Sequence, residues 1–231
     1  MTKRKKGCIF DAPKIVHMAK VRLAHLESLG LRLRGKRVLE VGSGIGHLTH
    51  WLEARDCEVV STDGNALNVV DNLRRHPWRK GKVFVADLEQ TGSHDWLGAF
   101  DVVLCWGVLY HLGKPARCIL DMAAVCTDLF LLETKVNPTD NGGTNISRER
   151  PDRDRAIHGR NCKPARNWVM QRLKREFGYA YVTRQQPNHP FFPTKWSAAP
   201  PHCRAVFVGS FTPLDLPTLS DKLLNEQTRY T

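Results

Sequence analysis

Three glycines at every second position, Gly42, Gly44 and Gly46, stand where an apolar run gives way, in Val38-Leu39-Glu40-Val41-Gly42-Ser43-Gly44-Ile45-Gly46-His47-Leu48. Glycine lets a chain turn sharply and lets a ligand press against the backbone. Two carboxylates end later β-rich runs: Asp63 after Cys57–Thr62, and Asp87 in Val85-Ala86-Asp87-Leu88. A carboxylate at such a place can accept two hydroxyl groups, or simply cap the next helix. Tyr110 and His111 close the longest apolar stretch, and Glu133 closes another. Histidine titrates near neutrality, so His111 is the first candidate for a general base, with a structural, backbone-bonded histidine as the alternative. Glu133 either binds a hydroxyl or satisfies a loop amide; His158 and His189 are weaker candidates. Phe191, Phe192 and Trp196 serve as a stacking surface or as packing.

Metal and disulfide chemistry find no support. The seven cysteines are odd in number and form no C-x-x-C pair, and the ten histidines form no H-x-x-x-H pair. Cys105, Cys118 and Cys126 sit in apolar surroundings and read as buried thiols.

The elements that must position these groups alternate. Strands are expected at Lys36–Val41, Cys57–Thr62, Lys82–Ala86, Phe100–Cys105 and Asp128–Glu133. Helices are expected from His47 to Arg55, over Ala66–Arg75 and from Pro115 to Cys126. That rhythm argues a parallel, doubly wound α/β sheet. Ahead of it, Ile15, Ala19, Leu23 and Leu26 keep helical spacing, with Asp11 as the expected cap, Pro13 in the first turn and Gly30 at the end. The stretch from Thr134 to Cys162 is rich in Asn, Gly, Asp and Arg and reads as a long loop. Pro164 opens a helix ended by Gly178. Tyr179–Gln185 and Arg204–Ser210 are β-rich, and a short helix is expected over Leu216–Glu226. The expected organisation is a basic tail and helix over 1–35, one domain over 36–212 with an insertion at about 134–163, and a tail over 213–231.

The chain has 231 residues, 42% apolar and 25% charged, which suits a folded domain rather than disorder. The longest apolar run, Val102 to Tyr110, has about nine residues, too few to span a bilayer. Met1–Lys6 is charged but no apolar core follows it, so a cytoplasmic location is expected. The formal charge is +12, with eleven basic and two acidic side chains among residues 1–37 and ten against four among 146–176. Either an anionic partner or a solvated basic surface accounts for this.

Two ligand classes use a glycine turn of this kind, dinucleotides and S-adenosylmethionine (SAM). The dinucleotide pattern places its third glycine five after the first; here that position is His47, whose side chain would crowd a pyrophosphate. The observed spacing, with Glu40 two residues before Gly42, resembles motif I of the class I SAM-dependent methyltransferases. The resemblance implies a seven-stranded, mostly parallel sheet with its last strand antiparallel. It implies SAM as cofactor, held by Glu40, Gly42, Ser43, Gly44 and Gly46. It also implies that Asp63 takes the ribose hydroxyls, Asp87 and the Leu88 amide face the adenine, and the backbone around Cys105 lines the methionine end. Gly107-Val108-Leu109-Tyr110-His111 is locally similar to tRNA wobble-uridine carboxymethyltransferases. The run Gln186–Pro190 with Arg204–Val208 looks like bacterial methyltransferases acting on glycans or secondary metabolites.

The expected reaction is methyl transfer to a small-molecule or glycan-like, anionic acceptor, at oxygen, with Tyr110, His111 and Glu133 as catalytic candidates. The alternatives are an RNA methyl- or carboxymethyltransferase using the basic surface, and a SAM-binding protein without catalysis. The sequence leaves the oligomeric state open.

Overall fold

The computed structural model describes residues 8–139, 142–152 and 154–230. Of the expected basic tail over residues 1–10, residues 1–7 lie outside that range. Helix α1 (Pro13–Ser28) comes first. Then β1 (Arg37–Val41), α2 (Thr49–Glu53), β2 (Glu58–Asp63), α3 (Ala66–Arg75), β3 (Val83–Val85), β4 (Phe100–Trp106), α4 (Pro115–Val125) and β5 (Cys126–Lys135) alternate as the apolar rhythm implies. Within the long loop β6 (Ser147–Arg148) and β7 (Arg160–Asn161) form a small antiparallel hairpin. Helix α5 (Arg166–Phe177), β8 (Tyr179–Thr183), the two-residue β9 (Gln185–Gln186), β10 (Arg204–Ser210), β11 (Leu219–Ser220) and β12 (Thr228–Arg229) complete the chain.

One eight-stranded sheet carries the fold, in the order β11-β8-β10-β5-β4-β1-β2-β3. Strands β1 to β5 pair in parallel, while β10 runs antiparallel to both β5 and β8. The seven expected strands are present; the eighth, β11, is two residues added at the edge of β8. Each face of the sheet covers a separate core. Leu39, Val41, Val103 and Cys105 point to the α4–α5 side, and Val38, Val102, Leu104 and Trp106 to the α1 side. This double cover is why β4 is apolar almost throughout.

Three local expectations are corrected. Asp11 does not cap α1: the cap position is Ala12, and the Asp11 carboxylate instead accepts two hydrogen bonds from Arg75 at 2.7 and 2.8 Å. The helix after the glycine turn is only the five residues of α2, because the chain first folds back through Gly46 N–H to Ser43 O. No helix forms over Leu216–Glu226. Pro217 interrupts it, and the backbone is spent on other partners: Arg184 N–H donates to Thr218 O, and Trp196 N–H to Asn225 O. Leu219, Leu223 and Leu224 pack inward from this extended strap. No helix among the described residues is long and apolar enough to cross a membrane.

Candidate active site

The carboxyl ends of β1 to β5 and the amino end of the antiparallel β10 open on one rim, as the registers Val41 opposite Cys105, Trp106 opposite Glu133 and Lys135 opposite Arg204 require. A cleft of about 1050 Å³ lies along that rim. Ligands of open α/β sheets bind at such strand ends. Helix α1 forms one wall with Ile15, Met18, Ala19 and Arg22, spaced for one helical face.

At one end the wall is backbone. Gly42 and Gly44 hold φ of +67° and +55°, a left-handed conformation that costs other residues roughly 1–2 kcal/mol. A Cβ on Gly42 would stand 2.2 Å from Val108 Cγ2, and one on Gly44 would stand 3.0 Å from the Phe10 ring. Both positions therefore need glycine to keep the turn thin between its neighbours. Asp63 fixes the turn from below: its Oδ2 accepts Gly44 N–H at 2.9 Å, and its Oδ1 accepts Asn65 N–H and Asn68 Nδ2 at 2.8 and 3.1 Å. Further along, Asp87 accepts Glu89 N–H at 2.9 Å, and its Oδ2 lies 2.7 Å from His158 Nε2. Ala86, Leu88 and Ile157 add apolar wall there. Behind the turn, burial pushes the Glu40 carboxyl up to about 7, against hydrogen bonds from Thr49 and Ser61 and the charge of Arg79. The Ser43 hydroxyl and the Trp106 indole N–H are buried on this wall with no partner among the described residues.

At the other end the wall is side chains. His111 Nδ1 sits 2.8 Å from Glu149 Oε2, and that same oxygen accepts Ala156 N–H at 3.2 Å. Burial pulls the His111 pKa below its ordinary value, with Glu149 working against it. The Tyr110 ring packs 4.0 Å from the His111 ring, and Lys135 Nζ stands 4.4 Å over it. Glu133 is fully buried between two arginines: Arg22 donates to one carboxylate oxygen, and Arg204 Nη1 donates to the other at 2.8 Å. Burial alone would raise the Glu133 carboxyl, but the two guanidinium charges outweigh it and hold it below the usual carboxylate range. Arg204 Nη2 also donates to the Tyr110 hydroxyl at 2.9 Å. Gly107 makes room for this arrangement, since a Cβ there would stand 2.7 Å from the Arg22 guanidinium.

The sequence profile described as "Methyltransferase domain" matches residues 39–128. No curated protein sequence matches the chain. Among solved structures, the N-terminal domain of EvdMO1 with SAH bound superposes with a TM-score of 0.65 at 21% identity, covering 84% of this chain and 80% of that one. Magnesium protoporphyrin IX methyltransferase from Synechocystis PCC 6803 with bound SAM gives 0.57 at 16%, covering 91% and 87%. CalS10 from Micromonospora echinaspora, an amino pentose methyltransferase with SAM bound, gives 0.57 at 15%, covering 92% and 100%. Residues 39–128 thus match a methyltransferase domain, and the chain shares the fold of SAM-dependent methyltransferases. These three structures hold SAM or SAH.

The fold brings most of the singled-out residues to one cleft. Glu40, Gly42, Ser43, Gly44, Asp63, Asp87, Leu88, Tyr110 and His111 all line it. Three do not. Gly46 turns the other way, where a Cβ would meet buried Arg79 and Asn72. Cys105 is wholly buried in the core on the α4 side, because strand alternation gives the cleft face to Trp106. Glu133 lies behind the wall, screened by its arginines, so it does not meet an acceptor directly. His189 and Phe191 line the cleft, whereas Phe192 and Trp196 are buried packing. Arg22, Lys135, Glu149 and Arg204 were not singled out by the sequence, although the strand period that puts Trp106, Glu133, Lys135 and Arg204 on one sheet face was readable.

Proposed function

We propose that this methyltransferase methylates a hydroxyl group of an anionic, small-molecule or glycan-like acceptor. The residues fit the cofactor as a cradle. The thin glycine turn, the carboxylates Asp63 and Asp87 and the apolar Leu88 offer, in order, a seat for the methionine end, acceptors for a ribose and a flat wall for adenine. The unpartnered Ser43 hydroxyl and Trp106 N–H are two further donors waiting beside the turn. When bound, SAM supplies a methyl on a positively charged sulfur that leaves as a neutral thioether. The chain's own task is then to hold an oxygen in line and to take its proton.

The observation that carries the reading is the His111–Glu149 pair. The carboxylate accepts the Nδ1–H, which fixes the tautomer and leaves the Nε2 lone pair to take the acceptor's proton. A buried imidazole with a lowered pKa is neutral at pH 7, the state a base needs. A general base is of little use for an acceptor that is already nucleophilic, so its presence favours oxygen. That an amino pentose methyltransferase and a protein crystallised in the presence of D-fucose share this fold supports a sugar-like acceptor.

Incubation with methyl-labelled SAM and fractionated cell extract tests the reading. Label should enter low-molecular-weight material as a base-stable methyl ether; a base-labile methyl ester would move the acceptor atom to a carboxylate, and label confined to RNA would reverse the choice of acceptor. Asp63→Ala should weaken SAM binding at least tenfold, about 1.4 kcal/mol, and unchanged affinity would remove Asp63 from the cofactor site.

A further inference from the structure

The acceptor end of the cleft carries a positive cluster that methyl transfer itself does not use. Arg22 and Arg204 share the single carboxylate of Glu133, so two guanidinium charges meet one negative charge. Lys135 adds a third cation beside them, over the Tyr110 ring. Glu133 stands behind the wall, while Arg22, Lys135, Arg204 and Tyr110 line it. The Nε–H groups of both arginines are buried with no acceptor among the described residues. Among the described residues, the carboxylates on the wall near this end are Glu149, already bonded to His111, and Asp154. A partly buried, fixed group of donors with an excess of positive charge is built for an oxyanion.

Its place in the sheet says which oxyanion. The glycine turn and the two carboxylates Asp63 and Asp87 sit at the tips of β1, β2 and β3, whereas Lys135 and Arg204 sit at the tips of β5 and β10, with Arg22 reaching in from α1. From β1 to β10 is three strand spacings, roughly 14 Å. Between the two lie Tyr110 and His111, after β4. The cation cluster is therefore on the far side of the base from the cofactor's seat.

We infer that Arg22, Lys135 and Arg204 clamp a carboxylate or phosphate group of the acceptor, with Glu133 holding the two arginines in position. The acceptor's class follows, on the methyl-transfer reading above: a hydroxyl compound, sugar-like in size, bearing a permanent oxyanion. The anion would set the molecule's orientation and leave a neighbouring hydroxyl at His111. A neutral sugar of the same shape would leave the arginines unpaired and bind poorly.

The decisive experiment follows the product. The methyltransferase is incubated with methyl-labelled SAM and a low-molecular-weight extract, and labelled material is passed over an anion exchanger at pH 7. Retention with elution by salt is the expected result. Loss of retention after phosphatase treatment identifies a phosphate, and retention that survives it identifies a carboxylate. Labelled product that flows through unretained overturns the clamp while leaving methyl transfer standing. Bound SAM with no label in any fraction overturns the methyl-transfer reading, and the clamp with it. In the same assay Lys135→Met should raise the apparent KM for the retained material about tenfold or more. Its SAM affinity should stay within about twofold, and Lys135→Arg should recover most of the loss. A parallel loss of SAM affinity would assign the cluster to the cofactor's own carboxylate and defeat the proposal. Lys135 is only half-buried and in no ion pair found among the described residues, so this variant is expected to fold where Arg204→Met would strand Glu133.

Discussion

The two ends of one cleft are made in different ways. The end proposed for the cofactor is local: Asp63 reaches Gly44, Asn65 and Asn68, at sequence distances of 19, 2 and 5. Its shape comes mostly from backbone conformation, and its glycine turn and two carboxylates lie within residues 39–128, where the methyltransferase profile matches. The end proposed for the acceptor is long-range: Arg22 to Glu133 spans 111 residues, Tyr110 to Arg204 spans 94, and Glu133 to Arg204 spans 71. Its parts are side chains, and Arg22, Glu133, Lys135, Glu149 and Arg204 all fall outside the matched stretch. A cofactor common to a family selects a common turn, while an acceptor particular to one chain is met by residues that only folding brings together.

The sharpest way to break this contrast is to remove one charge from the acceptor end. Glu133→Leu leaves two buried guanidinium groups facing each other and should cost about 3–5 kcal/mol in chemical denaturation. While the variant remains folded its SAM affinity should stay within about threefold of wild type, and equal loss of SAM binding would show that the two ends are one unit. Gly42→Ala attacks the opposite end. Left-handed strain plus contact with Val108 should cost about 3 kcal/mol and lower SAM affinity more than tenfold by calorimetry. A fully active Gly42→Ala protein would mean the turn has more room than its geometry gives it.

Smaller effects sharpen the contrast through pH. Glu149→Gln removes the charge that lifts the His111 pKa against burial. The acid limb of the kcat profile, where His111 gains its proton, should then move to lower pH, and kcat on the plateau should fall about tenfold. A limb that stays in place would reduce Glu149 to a structural partner. The smallest effect belongs to Glu40. Its buried carboxyl, raised to about 7, is largely protonated at pH 6 and ionised at pH 8. A positively charged ligand prefers the ionised form, so SAM should bind several-fold more tightly at pH 8 than at pH 6. Glu40→Gln should flatten that slope.

What the sequence disclosed follows the same division. The strand–helix rhythm from Arg37 to Lys135 was legible because fully covered parallel strands are continuous apolar runs. The glycine turn was legible because positive φ leaves few choices of residue. The clamp was not, because nothing in the neighbourhood of Arg22 or Arg204 marks either as facing a distant glutamate. Glu133 reads in the sequence as a group that binds a hydroxyl or satisfies a loop amide, because two arginines closing over it from 111 and 71 residues away leave no local mark. The strap after Pro213 was misread as helical because its leucines at 216, 219, 223 and 224 imitate helical spacing. In the fold they serve an edge strand, and tertiary packing overrode the pattern.

The buried Glu133 also constrains how this chain can diversify. Neither arginine can be exchanged alone without abandoning the carboxylate to an apolar surrounding, and the carboxylate cannot be lost without setting two like charges against each other. Positions 22, 133 and 204 are thus expected to change together across descendants, switching as a trio when the acceptor changes. On the proposed reading Gly42 and Asp63 would hold the cofactor, and they should drift hardly at all.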